Sequence, residues 1–114
     1  MNYIFKNKED WFYVTLQEEN YKTLERFTYY GWTPTKVQEI IDGLEKAKTR
    51  PYGKEYVWAN EDVTLRANEN GVLLIDQMAQ RGGMHDPDII TLRLTHNELI
   101  TFLNDFKKFM EENQ

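Results

Sequence analysis

The chain contains no cysteine and no serine, and its histidines are limited to His85 and His96. These absences exclude serine and cysteine nucleophiles, structural disulfides and thiolate metal sites. No apolar run approaches the ~18 residues of a membrane-spanning helix, so we expect no membrane segment. The stretch from Met1 to Asp10 lacks the apolar core of a signal peptide, which predicts a cytoplasmic protein.

Length and composition predict one folded domain over residues 1–114. A chain of 114 residues with 40% hydrophobic and 14% aromatic residues can fill one core. The formal net charge of -5 argues against a general nucleic-acid binder, which needs clustered lysine and arginine. Two interpretations of the acidity stay open: it serves solubility alone, or an acidic face binds a basic protein partner.

Local signals predict most of the secondary structure. Thr33 and Pro34 suit the cap and first position of a helix that continues to near Thr49. Thr95 and Glu98 form a capping-box pattern before an amphipathic C-terminal helix. Alternating or continuously apolar segments predict strands at residues 3–5, 11–16, 55–58, 63–66, 72–76 and 89–94.

Residues 20–32 are the most ambiguous segment. Leu24 and Phe27 fit a helical stripe, whereas Thr23 and Tyr29 fit one face of a strand. The enrichment in threonine and tyrosine favours the strand. Residues 77–88 are predicted to form the longest loop.

The order and spacing of these elements predict the fold class. Connections of hairpin length indicate a mostly antiparallel sheet. Each amphipathic helix needs an apolar surface to cover, and the sheet supplies one. We therefore predict an α+β fold, with two amphipathic helices packed on one face of a mostly antiparallel sheet.

The catalytic and metal-binding patterns in the chain have simpler explanations. His85, Asp86 and Asp88 are metal-ligand types, but they lie in one predicted loop without rigid support, which favours a turn over a zinc site. His96 lies in the first turn of a helix, where the dipole disfavours imidazolium and no partner is evident. The single Arg-Gly-Gly segment at residues 81–83 lacks the lysine and the glycine spacing of a P-loop. We expect no enzyme, no metal and no cofactor.

Aromatic and acidic residues supply the candidates for a partner-binding surface. Tyrosine and tryptophan are frequent interface anchors, and a strand over residues 29–30 would point one of its two tyrosines outward. Acidic side chains at residues 61–62 and 86–88 would border a basic partner. The predicted partner-binding residues are Tyr30, Trp32, Glu61, Asp62, Asp86 and Asp88.

Part of the chain resembles a group of bacterial proteins. The segments EYVW at residues 55–58 and EDVTLRAN at residues 61–68, followed by the helix from Thr95, are similar to the YacL-type small uncharacterised proteins. That group implies no activity and no site residues. In size, acidity and single-domain character, the whole chain resembles the immunity proteins of contact-dependent inhibition and other polymorphic toxin systems.

The second resemblance implies a function. Such immunity proteins are typically small cytosolic domains, and each neutralises one toxin domain, frequently a nuclease. We expect a non-catalytic protein that covers the active site or another functional surface of a basic toxin, without direct contact to nucleic acid or membrane. The alternative is a non-catalytic adaptor or regulatory domain of a housekeeping complex. A small enzyme that uses carboxylates is a third class, and it lacks carboxylates at a suitable spacing.

Overall fold

Six strands, five helices and one short 3-10 turn make up the chain, and a computed structural model describes all residues from Met1 to Gln114. The strands are β1 Tyr3–Lys8, β2 Trp11–Leu16, β3 Tyr56–Ala59, β4 Val63–Asn68, β5 Gly71–Asp76 and β6 Thr91–Leu94. The helices are α1 Lys22–Phe27, α2 Pro34–Ala47, α3 Gln77–Arg81, α4 Pro87–Ile90 and α5 His96–Glu112. The 3-10 turn, Glu19–Tyr21, leads directly into α1.

All strand pairings are antiparallel, and they form two sheets. β1 and β2 pair as a hairpin in which Tyr3 lies opposite Leu16 and Lys8 lies opposite Trp11. β3, β4, β5 and β6 pair in chain order, so the four-stranded sheet needs no crossover connection. The predicted α+β class is confirmed, although the strands divide between two sheets.

Residues 20–32 form α1 and its flanking turns, and the preference for a strand was wrong. Leu24 and Phe27, the helical stripe, are fully buried against β2 and the four-stranded sheet. Burial of these two side chains outweighs the β propensity of the surrounding threonines and tyrosines.

Side chains of α1 and of the residue that follows it accept hydrogen bonds from the backbone N–H groups at the outer edge of β2. The Val14 N–H donates to the Thr28 hydroxyl at 3.1 Å, and the Leu16 N–H donates to the Glu25 carboxylate at 3.2 Å. These bonds occupy donors to which a third strand would otherwise pair. The hairpin therefore stays a two-stranded sheet.

The two long helices match their predicted starts. The Thr33 hydroxyl accepts from the Lys36 N–H at 3.2 Å at the start of α2. At α5 the Thr95 hydroxyl accepts from the Glu98 N–H at 3.0 Å, and the Glu98 carboxylate accepts from the Thr95 N–H at 2.8 Å. The two helices pack against each other and against the four-stranded sheet, and they contribute much of a core of 23 buried residues. None of the five helices has the length and apolar character needed to span a bilayer.

The four-stranded sheet has one covered face and one open face. Side chains that point towards the helices are buried, such as Leu65 on β4 and Leu74 on β5. None of the side chains that alternate with them is buried. We call the second surface the open sheet face: Val57, Ala59, Thr64, Arg66, Asn68, Leu73, Ile75, Thr91 and Arg93.

Residues 77–88 hold two short helices where a loop was predicted. The Asp76 carboxylate caps α3 and the Asp86 carboxylate caps α4, through bonds from backbone N–H groups at 2.9 and 3.0 Å. Helices of this length carry too few apolar positions to show a period in the sequence. Because α4 extends to Ile90, β6 begins at Thr91 rather than at residue 89.

Candidate functional site

Acidic and apolar side chains meet at one end of the four-stranded sheet. At this end β3 and β5 finish and β4 and β6 begin, so the β3–β4 turn lies near α3, and α3 contacts α4. The four predicted acidic residues come from two separate segments, and both segments lie at this end of the sheet. With three exposed apolar residues they form what we call the acidic-methionine surface: Glu61, Asp62, Asp86, Asp88, Met78, Met84 and Ile89.

Asp76 and Gln77 tie α3 to the rest of the molecule. Asp76 is buried at the end of β5, where one carboxylate oxygen caps α3 and the other pairs with the Arg26 guanidinium of α1. The Gln77 N–H donates to the Asp62 carbonyl at 2.8 Å, and the Gln77 amide donates to the Thr64 hydroxyl at 2.8 Å. These bonds hold α3 beside the acidic β3–β4 turn.

The β3–β4 turn presents its two carboxylates in different states. The Asn60 side-chain oxygen accepts from the N–H groups of Asp62 and Val63, both at 2.8 Å, which orders the turn. The half-buried Asp62 carboxylate lies 3.9 Å from the Arg81 guanidinium. Glu61 is exposed and belongs to none of the ion pairs in the molecule. The turn therefore offers one free carboxylate and one that a basic partner would share with Arg81.

The carboxylates of α4 lie on the most exposed segment of the chain. Every residue from Gln80 to Ile89 is exposed. The Asp86 carboxylate uses one oxygen to cap α4, and Asp88 has no ionic partner. An exposed segment carried on a rigid scaffold is a common place for partner-binding residues.

Three apolar residues of this surface were missed by the sequence reasoning. Met78, Met84 and Ile89 are 55%, 42% and 58% exposed. Exposed apolar side chains that cluster within a polar rim mark interaction surfaces, and methionine adapts to varied partner shapes. In a predicted loop, no periodic pattern tells which side chains are buried and which are exposed. The sequence therefore did not indicate that these three side chains point outward.

Tyr30 and Trp32 belong to a different cluster. Trp32 is only 5% exposed, and its indole N–H donates to the Phe27 carbonyl at 3.0 Å. The half-buried Tyr30 packs edge-on against Trp32 and Trp58, with ring centroids 5.0 and 5.4 Å apart. Trp32 is therefore a core residue and not the surface anchor that we expected. Residues 29–32 form the turn after α1, whereas we had predicted an exposed strand there. Tyr30 offers a partner only the exposed part of its ring.

Exposed aromatic residues lie instead at the β1–β2 hairpin. Trp11 is 46% exposed, and Tyr29 is 42% exposed and contacts Tyr13 with ring centroids 6.2 Å apart. The Tyr29 hydroxyl donates to the Glu25 carboxylate at 2.8 Å. Burial and this bond raise the pKa of Tyr29 to about 12. Burial acts to raise the pKa of Glu25, but hydrogen bonds from Tyr29 and from the backbone of β2 outweigh it and lower that pKa.

The two histidines lie in different surroundings. His85 is exposed beside Asp86, and no group of three or more histidine, aspartate or glutamate side chains is placed to hold a metal ion. His96 is half-buried, and its Nε2 lies 2.6 Å from the Asn68 carbonyl oxygen, a partner that the sequence did not reveal. This contact joins the start of α5 to the end of β4.

The chemistry available at the acidic-methionine surface is thus charge complementarity together with apolar contact. Two free carboxylates, two partly engaged ones and three exposed apolar side chains suit a basic protein surface with apolar neighbours. No protein-family model matches the chain, and no curated protein and no solved structure matches it either.

Proposed function

We propose that this protein is an immunity protein that binds and neutralises a basic toxin domain through the acidic-methionine surface. It acts without catalysis and works in the cytoplasm of the cell that makes it. One observation carries the proposal: the segments that hold the carboxylates of residues 61–62 and 86–88 lie at the same end of the sheet, and Met78, Met84 and Ile89 are exposed on α3, α4 and the bend between them.

Electrostatics supports a basic partner. A nuclease active site is lined by basic groups that bind phosphate, and carboxylates can occupy the positions that phosphates would take. The net charge of -5 adds long-range attraction. Steering of this kind raises association rates by about 10-fold to 1,000-fold and weakens with salt.

The apolar residues supply the part of the affinity that persists at high salt. A few well-buried side chains carry most of the binding energy in typical interfaces, while the charged rim sets orientation and encounter rate. Met78 and Ile89 extend from α3 and α4, on either side of the Gly82–Gly83 bend. A partner seated between the two short helices would bury both side chains.

Co-expression with the product of the gene immediately upstream tests the proposal. A tagged copy of this protein should co-purify with that product in a stoichiometric complex, and the upstream product alone should arrest growth. An upstream product that is harmless and does not co-purify would contradict the proposal.

A matched pair of variants tests the surface itself. Met78→Gln combined with Ile89→Thr should speed dissociation of the complex about tenfold or more, because it removes apolar contacts from the centre of the interface. The control is Ile4→Thr combined with Val57→Thr, two residues that are 54% and 49% exposed elsewhere. Equal dissociation rates for the two variants, measured by surface plasmon resonance, would remove these residues from the interface.

An adaptor for a housekeeping complex is the second candidate. The separate aromatic surface formed by Trp11, Tyr13 and Tyr29 favours it, because an adaptor needs more than one docking surface. Deletion of the gene discriminates between the two candidates. An immunity protein is needed only in cells that meet the toxin, whereas an adaptor deletion gives a phenotype in its absence.

A further inference from the structure

The open sheet face carries two arginines in one row of neighbouring residues. In the strand register, Val57 lies opposite Arg66, Arg66 opposite Leu73, and Leu73 opposite Arg93. Neighbouring strands are about 4.8 Å apart, so the backbones that carry the two arginines are about 10 Å apart with Leu73 between them. The row is a pair of cations around an apolar centre.

These two arginines lie outside the ion pairs of the molecule. Arg26 pairs with Asp76, and Arg81 lies within 3.9 Å of Asp62, whereas Arg66 and Arg93 belong to no ion pair and are exposed. In a chain of net charge -5, two exposed arginines outside any ion pair on an uncovered sheet are a local concentration of positive charge.

A shallow groove of about 410 Å³ runs along this row to the β4–β5 turn. Its walls include Arg66, Leu73, Arg93 and Tyr52, whose side chain is 84% exposed. Glu55 is the one carboxylate in the lining, and it already accepts a hydrogen bond from the Gly53 N–H at 3.1 Å. The groove therefore holds two exposed guanidinium groups, of which Arg66 lies near enough to Glu55 to act on its carboxylate, together with an apolar floor and an exposed aromatic ring.

We propose that this arginine row is a second docking site, which binds an acidic polypeptide segment with apolar side chains between its carboxylates. Guanidinium groups form paired hydrogen bonds with carboxylates, and Leu73 and Val57 would contact the intervening apolar groups. The site lies apart from the acidic-methionine surface and has the opposite charge, so it takes a different partner.

Two other occupants fit the row less well. A nucleic acid needs a continuous basic track, and this groove has two arginines, no lysine and one glutamate. A second copy docked about a two-fold axis on this face would set arginines against arginines, which is repulsive. In an acidic segment with apolar side chains between its carboxylates, the carboxylates complement the arginines and the apolar side chains contact the floor of the groove.

Binding of a short labelled peptide that repeats the unit Glu-Thr-Leu tests the proposal. Fluorescence anisotropy should show binding, and NMR amide shifts should move at Arg66, Leu73 and Arg93. Arg66→Glu combined with Arg93→Glu should weaken binding about tenfold or more. Arg66→Gln combined with Arg93→Gln should weaken it in the same direction, which covers the case of a charge-reversed variant that does not fold.

Controls separate this site from general charge effects. Lys6→Glu combined with Lys46→Glu changes two exposed cations elsewhere and should leave peptide binding unchanged. A Lys-Thr-Leu peptide should not bind this row. The proposal is overturned if the acidic peptide does not bind, if its shifts map elsewhere, or if a single-stranded oligonucleotide binds the row more tightly. It is also overturned if sedimentation shows a dimer of the chain that Arg66→Glu combined with Arg93→Glu dissociates.

Discussion

Asp76 connects three elements through one buried carboxylate. It ends β5, caps α3 and pairs with Arg26 of α1, so the position of the acidic-methionine surface depends on it. A buried carboxylate needs such partners, because an unpaired charge away from water is strongly destabilising. The sequence shows an aspartate at the end of an apolar strand but neither of its partners.

We predict that Asp76→Ala lowers the free energy of unfolding by about 1–3 kcal/mol, since it removes a helix cap and an ion-pair partner. Asp76→Asn keeps an oxygen for the cap and should lose about half as much. Urea unfolding measures both changes. Hydrogen exchange of the α3 amides should speed up in Asp76→Ala, and equal stability of this variant and the wild type would contradict the role given to Asp76.

Two tyrosines with raised pKa values are expected to make the stability of the fold depend on pH in the alkaline range. Burial and a hydrogen bond to Asp105 raise the pKa of Tyr3 to about 12, and the pKa of Tyr29 is also about 12. The ordinary value is 10.0. Unfolded tyrosine therefore loses its proton first, and stability falls as the pH rises from 10.0 towards about 12.

We expect Tyr3→Phe combined with Tyr29→Phe to flatten the decline of the urea midpoint between pH 10.0 and about pH 12. Tyr52→Phe, at a side chain that is 84% exposed, is the control and should leave the slope unchanged. An unchanged slope in the double variant would show that these hydroxyls do not hold their protons more tightly in the folded state.

Among the elements, those with complete local signals were predictable. α2 and α5 carry their caps and a full apolar stripe, and both appear where the sequence placed them. The β4–β5 hairpin was also predictable, and its Gly71 takes a positive φ of 133°. α1 was not, because its burial against β2 is a tertiary effect that outweighs its local β propensity.

The acidic residues of the candidate site could be predicted from the sequence, but their arrangement in space could not. Residues 61–62 and 86–88 are separated along the chain, and only the antiparallel order of the four-stranded sheet brings them to one end. The exposure of Met78 and Met84, and the burial of Trp32, depend on which way each segment packs. Neither composition nor spacing contains that information.

The packing of α2 on β3 brings Gly43 of the helix against Tyr56 of the strand. A Cβ at Gly43 would lie 2.3 Å from the ring of Tyr56, so the tyrosine ring occupies the space that an alanine methyl group would need. We expect Gly43→Ala to destabilise the fold by about 1–3 kcal/mol, although alanine is the better helix former by about 1 kcal/mol.

Two further variants isolate the cause. Tyr56→Val in the Gly43→Ala background should recover part of the loss, because the two positions are in contact. Gly31→Ala, at a site with no atom within 4 Å of the added Cβ, should change stability by less than about 0.5 kcal/mol. A Gly43→Ala protein more stable than the wild type in urea would contradict the close approach.

At the scale of the whole molecule, the charges are arranged on separate surfaces. One end of the four-stranded sheet carries the acidic-methionine surface, and the open sheet face carries the arginine row. Helices α1, α2 and α5, the β1–β2 hairpin and the covered face of the sheet together contribute the side chains of the core. This arrangement leaves the acidic end and the arginine row available to partners while the core stays closed.

Growth rescue tests directly whether the acidic-methionine surface neutralises the upstream product. Cells that express the upstream product would receive the wild type, a variant with Glu61→Gln, Asp62→Asn, Asp86→Asn and Asp88→Asn, or a control with Glu39→Gln, Asp42→Asn, Glu45→Gln and Glu111→Gln. The substitutions preserve shape and remove the same amount of charge from two different surfaces. We predict that the wild type and the control restore growth and that the first variant, folded by circular dichroism, does not. Rescue by that variant equal to the wild type would contradict the account.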